Sequence, residues 1–208
     1  MGSLLGHLPK GLFFVVSAPA GTGKTTLVQM LMKEFPLVIA SISYTTRQPR
    51  EGEVHGQHYH FINESDFKEK ISAADFLEYV KLYGYYYGTS RQWVCAQQEQ
   101  GRHVILVIDT QGALQLQKED FDAIYIFVSP PSLNVLRERL ANRKTETAET
   151  LEKRLEWAQK EMEAARYYDY NIINDDLHQA YEVLRSIVIA ECHRVREDFH
   201  IQKPSLRE

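Results

Sequence analysis

"GLFFVVSAPAGTGKTTLVQMLMKEF", residues 11–35, carries three signals in a row. It opens on a nearly continuous apolar run, the pattern of a strand buried on both faces of a parallel sheet. A glycine-rich turn follows, and then Leu27, Met30, Leu31 and Phe35 recur at helical spacing until Pro36 stops the helix. A buried strand, a glycine turn and a helix N-terminus in that order point several backbone N–H groups into one concavity, where the helix dipole also favours negative charge. The turn nearly matches G-x-x-x-x-G-K-[ST], with Ala18 where the first glycine belongs. Gly21 and Gly23 permit the tight path, Lys24 can reach terminal phosphates, and Thr25 can bind Mg²⁺. Ala18 adds one methyl group, which costs little at negative φ and roughly 1 kcal/mol or more at positive φ. The candidate cradle for a nucleoside triphosphate is thus Ala18, Pro19, Ala20, Gly21, Thr22, Gly23, Lys24, Thr25 and Thr26. A chance glycine turn is the bland alternative.

Outward from this stretch, the pattern keeps alternating. "LVIASIS" reads as a strand, residues 44–57 as a polar, proline-broken loop, and "HYHFI" as a short strand. "ESDFKEKISAADFLEYV", residues 64–80, reads as helix with Ser65 as its cap. "VILVID" (104–109) and "AIYIFV" (123–128) are further buried strands, the second followed by Pro130, Pro131 and a helix through "SLNVLRERL". Leu151, Leu155, Ala158 and Met162 space a long helix, "YNIIN" a short strand, and Leu177 to about Arg196 a final helix. Strands alternating with helices imply an α/β fold, a parallel β-sheet flanked by helices. The 208 residues fit a single domain, with the polar segments near 44–57 and 141–150 read as insertions rather than boundaries.

Bulk composition removes several classes of function. Hydrophobic residues make up 44% and charged residues 25%, as in an ordinary globular protein. A formal charge of −4 gives no general attraction to nucleic acid or an anionic membrane, so any anion must be gathered by a local basic cluster. Cys95 and Cys192 have neither metal nor disulfide spacing, and "MGSLLGHLPKG" lacks a secretory apolar region. The expectation is a cytoplasmic protein with no membrane or nucleic-acid partner, a monomer or a homodimer.

A second basic cluster lies in "SYTTRQPREGEVHGQHYHF", where Arg47 and Arg50 precede Tyr59. Two guanidinium forks and a phenol suit a phosphate monoester dianion, although arginines on a polar loop are commonly just solvated. Glu78 sits among apolar neighbours in "FLEYV", ahead of an aromatic, hairpin-like stretch that ends at Gly88-Thr89. The three histidines of "HGQHYH" (His55, His58 and His60) have no acidic or cysteine partner at a zinc-ligand spacing. The tyrosine run beside Tyr87 reads as β packing rather than a base-stacking platform.

In combination these segments resemble guanylate kinases, which phosphorylate GMP from ATP. The carriers are "SAPAGTGKTT", "SYTTRQPREGEVHGQHY", "FLEY", "YYGTS", "IDTQG", "NRKTETAET" with its flanking "RL" and "KRL", and "NDDL", in the family's order over about residues 11–196. The resemblance implies a P-loop NTPase core (about 11–40, 92–140 and 158–196), a GMP-binding insertion (about 41–91) and a mobile lid (about 141–157). It implies that Arg47, Arg50, Tyr59 and Tyr87 hold the GMP phosphate while Ser43, Glu78 and Thr89 read guanine. Guanine offers adjacent N–H donors at N1 and the 2-amino group that one carboxylate can accept together; adenine does not, and would leave Glu78 unpaired. Threonine stands at 89 where the family commonly has serine.

Asp109 ends the "VILVID" strand, where ligands gather in open α/β sheets, and it can bind the GMP moiety or orient Mg²⁺ through water. The family often has a second acid two residues earlier, where this chain has Val107. Arg139, Arg143 and Arg154 match lid and hinge arginines, with Lys144 where the family often has glycine; Arg139 and Arg154 as plain helix charges are the bland reading. Asn174 and Asp175 match part of an adenine pocket. The implied reaction is in-line, Mg²⁺-assisted phosphoryl transfer from ATP to GMP, or dGMP, with charge neutralisation by Lys24 and the arginines instead of a strong general base. Two other readings compete: a non-catalytic module of the same fold that binds a phosphorylated protein, and a kinase for another nucleoside monophosphate.

Overall fold

The computed structural model describes residues 4–6, 8–142 and 148–195. Five strands make an all-parallel sheet: β1 (Phe13–Ser17), β2 (Val38–Ala40), β7 (His103–Val107), β8 (Ile124–Ser129) and β9 (Tyr170–Ile173), in the order β2-β7-β1-β8-β9. The central strand explains the apolar run that opens the chain. Phe14 and Val16 face one core with Leu27, Leu31, Leu184 and Val188, whereas Phe13 and Val15 face another with Val94, Leu106 and Leu116. Both faces are buried, which is why Phe13 to Val16 are all apolar. Each such side chain contributes about 1.5–3 kcal/mol on burial.

Helices α1 (Lys24–Glu34) and α7 (Leu177–Cys192) cover the first face; α3 (Arg91–Glu99) and α4 (Thr110–Lys118) cover the second. The final helix thus ends before the expected Arg196, which lies outside the described residues. A hairpin of α5 (Leu133–Ala141) and α6 (Ala148–Glu163) packs through Leu136, Leu140, Leu155 and Ala158 and is pinned by an Arg137–Glu152 ion pair.

The second sheet is mixed, in the order β4-β3-β6-β5: β3 (Tyr44–Thr45), β4 (His60–Phe61), β5 (Phe76–Leu82) and β6 (Tyr85–Ser90). Two expectations are corrected here. The first residues of the 44–57 segment are strand, because Tyr44 and Thr45 pair with Gly88 and Tyr87. The helix expected over 64–80 is only α2 (Glu64–Ser72), capped by Asn63 rather than Ser65: the Asn63 carboxamide accepts from the Asp66 N–H at 2.8 Å. It stops where Ala74 turns left-handed at φ 53, with the Asp75 N–H donating to the Lys70 carbonyl and that of Ala74 to Ile71. This is a Schellman ending built on alanine instead of glycine. The "FLEYV" stretch is therefore strand, and Glu78 rides on β5.

Candidate functional site

Of the α-helices whose N-caps are described, α2, α3, α4, α5 and α7 are each capped by a side chain: Asn63, Ser90, Asp109, Ser132 and Asp176. Helix α1 is not. Its N-cap is Gly23, left-handed at φ 88, with no side-chain bond. The first-turn N–H groups of α1 thus lack the acceptor that the other helices carry in their own sequence, and an anion can supply it. The turn itself is firmly held. The Thr22 hydroxyl donates to the Pro19 carbonyl at 2.9 Å, and the Asn174 amide donates to the Thr22 carbonyl at 2.5 Å. Gly21 lies at φ 91 under Leu136 and Leu140 of α5, so the α5–α6 hairpin rests directly on the turn. Ala18 is buried in the first core and is not among the residues with positive φ, so its methyl group packs without backbone strain.

Lys24 opens α1 and donates from Nζ to the Ile108 carbonyl at 3.1 Å. Burial lowers its pKa, opposed by the carboxylates of Glu161 and Asp109. Asp109 is the N-cap of α4, its Oδ1 accepting from the Gly112 N–H at 2.8 Å. Burial raises its pKa, against the Gly112 N–H bond and Lys24. Glu161 comes from the far end of α6, where burial pushes its carboxyl up to about 7 and the Thr110 hydroxyl bonds to it.

A cavity of about 270 Å³ opens beside this lysine, between the two sheets. Lys24, Ala20 and Asp109 form its wall on the parallel-sheet side, and Ser43, Glu78 and Tyr87 its wall on the mixed-sheet side. Arg47, Arg50 and Tyr59 close it from the polar loop, and Arg154 reaches it from α6. Thr25 instead lines an adjoining cavity. Thr89 stands behind the wall, fully buried, its hydroxyl donating to Glu78 Oε1 at 2.6 Å.

The placement of Glu78 depends on a bulge. Phe76 pairs with Ser90 but Glu78 with Thr89, so Leu77 is an extra residue on β5. Such an insertion bends a strand and re-aims its side chains. Glu78 ends only 2% exposed, and burial raises its pKa to about 7, opposed by the Thr89 bond. Gly112 makes room for it, since a β-carbon there would come within 2.6 Å of Glu78 Oε2. Gly112→Ala is expected to displace the carboxylate and to lower stability by about 1–3 kcal/mol, the cost of overpacking a filled interior, readable as a fall in Tm.

Arg47 is not solvated. Its two terminal nitrogens form a fork on Glu53, each bond 2.9 Å long, and Glu53 Oε2 also accepts from the Arg50 N–H at 2.7 Å. This hydrogen-bonded pairing holds Glu53 below and Arg47 above their usual ranges. Tyr59 and Tyr87 stand edge to face, ring centroids 6.0 Å apart, with the Arg47 guanidinium 5.5 Å from the Tyr59 ring. Arg139 does not line the cavity; it donates to the Asn174 carbonyl at 2.9 Å and the Asp175 carbonyl at 3.3 Å. Arg143 lies outside the described residues.

Glu53, Gly112 and Glu161 were not singled out from sequence. Glu53 and Gly112 lie within quoted motifs, but nothing marks Glu161 in the charged run "AQKEMEAA". Among the described residues no group of three or more His, Cys, Asp or Glu is arranged to hold a metal ion, and His55 and His58 each accept a backbone N–H through Nδ1. No described helix is long and apolar enough to cross a membrane, and both cysteines are free thiols.

The comparisons with known proteins point one way. A family model described as guanylate kinase matches residues 11–191. The chain is 68% identical over 186 residues to a guanylate kinase of Protochlamydia amoebophila, covering 89% of this chain and 94% of that one. It is 49% identical to one from Chlamydia muridarum, covering 90% and 91%. Its fold is similar to a crystal structure of guanylate kinase from Anaplasma phagocytophilum, with a TM-score of 0.74 at 28% identity over 89% of this chain and 88% of that one.

Proposed function

The chain belongs to the guanylate kinase family, and from that premise we propose how its residues carry out the ATP-dependent phosphorylation of GMP to GDP. One observation carries the assignment. A buried carboxylate suited to guanine, a pair of arginines suited to a phosphate, and the lysine of the glycine turn all face a single cavity.

The backbone N–H groups of residues 18–26, all but Pro19, receive the phosphates of ATP, with Lys24 exchanging the Ile108 carbonyl for phosphate oxygens. Asn174 and Asp175 flank the purine end; the Asn174 side chain serves by bracing the Thr22 carbonyl. The Thr25 hydroxyl and, through water, Asp109 are suited to hold Mg²⁺, a donor set that fits an ion which keeps most of its waters and binds the phosphates directly. When bound, that ion supplies neutralisation of charge on the β- and γ-phosphates.

GMP enters with its base on Glu78 and Ser43, Thr89 bracing the Glu78 carboxylate from behind, and its phosphate on Arg47, Arg50, Tyr59 and Tyr87. Glu53 keeps the Arg47 fork extended until a dianion competes for it. The attacking phosphate oxygen is already anionic, so alignment and charge neutralisation, not proton removal, set the rate. Segment 41–91 acts as the acceptor-binding unit and 141–157 as a lid that brings Arg154 over the transferring group. Arg139 supports the lid's base through its bonds to the 174–175 backbone. The assigned residues address base and phosphate, so dGMP is the second acceptor of this reading. A reaction on the nucleotide pool suits a cytoplasmic monomer or homodimer.

Coupled ADP release with GMP, dGMP, AMP and UMP as acceptors tests the assignment. Turnover with GMP and dGMP at least ~10³-fold above AMP is expected from a site whose buried carboxylate goes unpaired with the wrong base. Equal turnover of AMP would overturn it.

A further inference from the structure

Tyr83 holds a backbone conformation that its residue type disfavours. At the tip of the β5–β6 hairpin it lies at φ 50, followed by Gly84 at φ 86. Two-residue turns with both φ values positive favour Asn, Asp or Gly at the first position. Strain of this kind persists where the surroundings over-determine it, and it clusters at functional sites. Burial does not account for the choice, because Tyr83 is 65% exposed. Its ring instead meets Trp157 of α6, centroids 6.3 Å apart and planes at 52°. Trp157 is itself 37% exposed, so two solvent-facing aromatic rings touch across the gap between the mixed sheet and α6.

Both ends of this contact lead to the cavity. Trp157 lies three residues after Arg154 on α6, so the two side chains are neighbours on the helix surface. Tyr83 lies one residue past the strand that carries Glu78, and Tyr83 and Arg154 line the same cavity. An adjoining face of α6 is fixed to α5 by Leu155 and Ala158. Only the Tyr83–Trp157 contact, among the ring contacts described, joins α6 to the mixed sheet.

We propose that Tyr83 and Trp157 are positioning residues for Arg154: their ring contact docks the hairpin tip on α6 and holds the guanidinium over the acceptor cavity. Occupation of the acceptor site is thereby transmitted to the helix that carries the arginine. This rests on the phosphoryl-transfer reading given above.

Tyr83→Asn, Trp157→Ala and the double variant test it, with kcat and KM for GMP and ATP measured beside thermal unfolding. Asparagine suits the left-handed turn, so Tyr83→Asn is expected to keep the Tm of the wild type or raise it. Each single variant should nevertheless lower kcat by roughly two- to tenfold, the range that an aromatic pair's interaction energy provides, with KM for ATP unchanged. The double variant should be no slower than the slower single one. Multiplicative losses in the double variant would mean that the rings act separately, for instance Tyr83 on the nucleotide itself, and would overturn the proposal. So would single variants with wild-type kcat. A wild-type protein inactive with GMP would overturn the reaction assignment instead, so the two failures are distinguishable.

Discussion

Lys24→Ala is expected to reduce GMP-dependent ADP release by about 10³-fold while the Tm stays within a few degrees, roughly, of the wild type. The size follows from the setting. The ammonium is enclosed, its pKa is lowered by burial, and it lies in the field of Asp109 and Glu161. A desolvated cation gains far more from an arriving polyphosphate than an exposed one, and the gain increases as charge builds between the β- and γ-phosphates. The fold depends on it much less. Burial penalises the charged form of this lysine, and its hydrogen bond goes to the Ile108 carbonyl. Alanine is also a better helix former than lysine at the start of α1. A variant that turned over within tenfold of the wild type would show that the glycine turn is not where the triphosphate reacts.

The parts of this site that a sequence reveals are those built from neighbours in the chain. β1, the glycine turn and α1 are continuous, so the apolar run, Gly21, Gly23 and Lys24 can be read together, and the Ala18 departure is settled by its negative-φ, core-facing placement. Residues 73–80 behave differently. "AADFLEYV" has apolar spacing that suits a helix, and no glycine or proline marks the break; the left-handed Ala74 and the extra Leu77 on β5 are fixed by packing of Phe76 and Leu77. From a helix over 64–80 the bond between Glu78 and Thr89, eleven residues on, does not follow; it needs the two strands to pair.

Arg47 shows a third kind of limit. Its residue type announces anion binding, but its bidentate partner Glu53 emerges only when the loop closes on itself. Glu161 is further still from legibility. It lies 137 positions beyond Lys24 (161 − 24) and is brought to that lysine only because the α5–α6 hairpin folds back over the glycine turn.

Glu78→Gln is expected to lower kcat/KM for GMP by about 10²- to 10³-fold, with KM for ATP nearly unchanged. The glutamine fills the same space and can still accept the Thr89 hydroxyl bond, so the pocket should keep its shape. What changes is the second atom of the fork: an NH₂ donor replaces a carboxylate oxygen and confronts the donors of guanine. A buried donor facing a donor leaves both unpaired, which is the costly case. The acidity of Glu78 adds a second, independent readout. Burial holds the carboxyl of the free protein at about 7, above its ordinary value, whereas accepting two N–H bonds from guanine stabilises the ionised form and lowers the pKa in the complex. Binding of GMP on this carboxylate is therefore expected to release a proton near neutral pH. Affinity should weaken as pH falls below 7, by up to about tenfold per unit, until the lower pKa of the complex is reached, and should level off above 7. Glutamine has no proton to release, so the Glu78→Gln variant should lose this acidic limb. Subtracting its pH profile from that of the wild type also cancels the titration of the GMP phosphate itself. If the two profiles ran parallel from pH 5 to 8, Glu78 would not be the group that receives the base, however deeply it is buried.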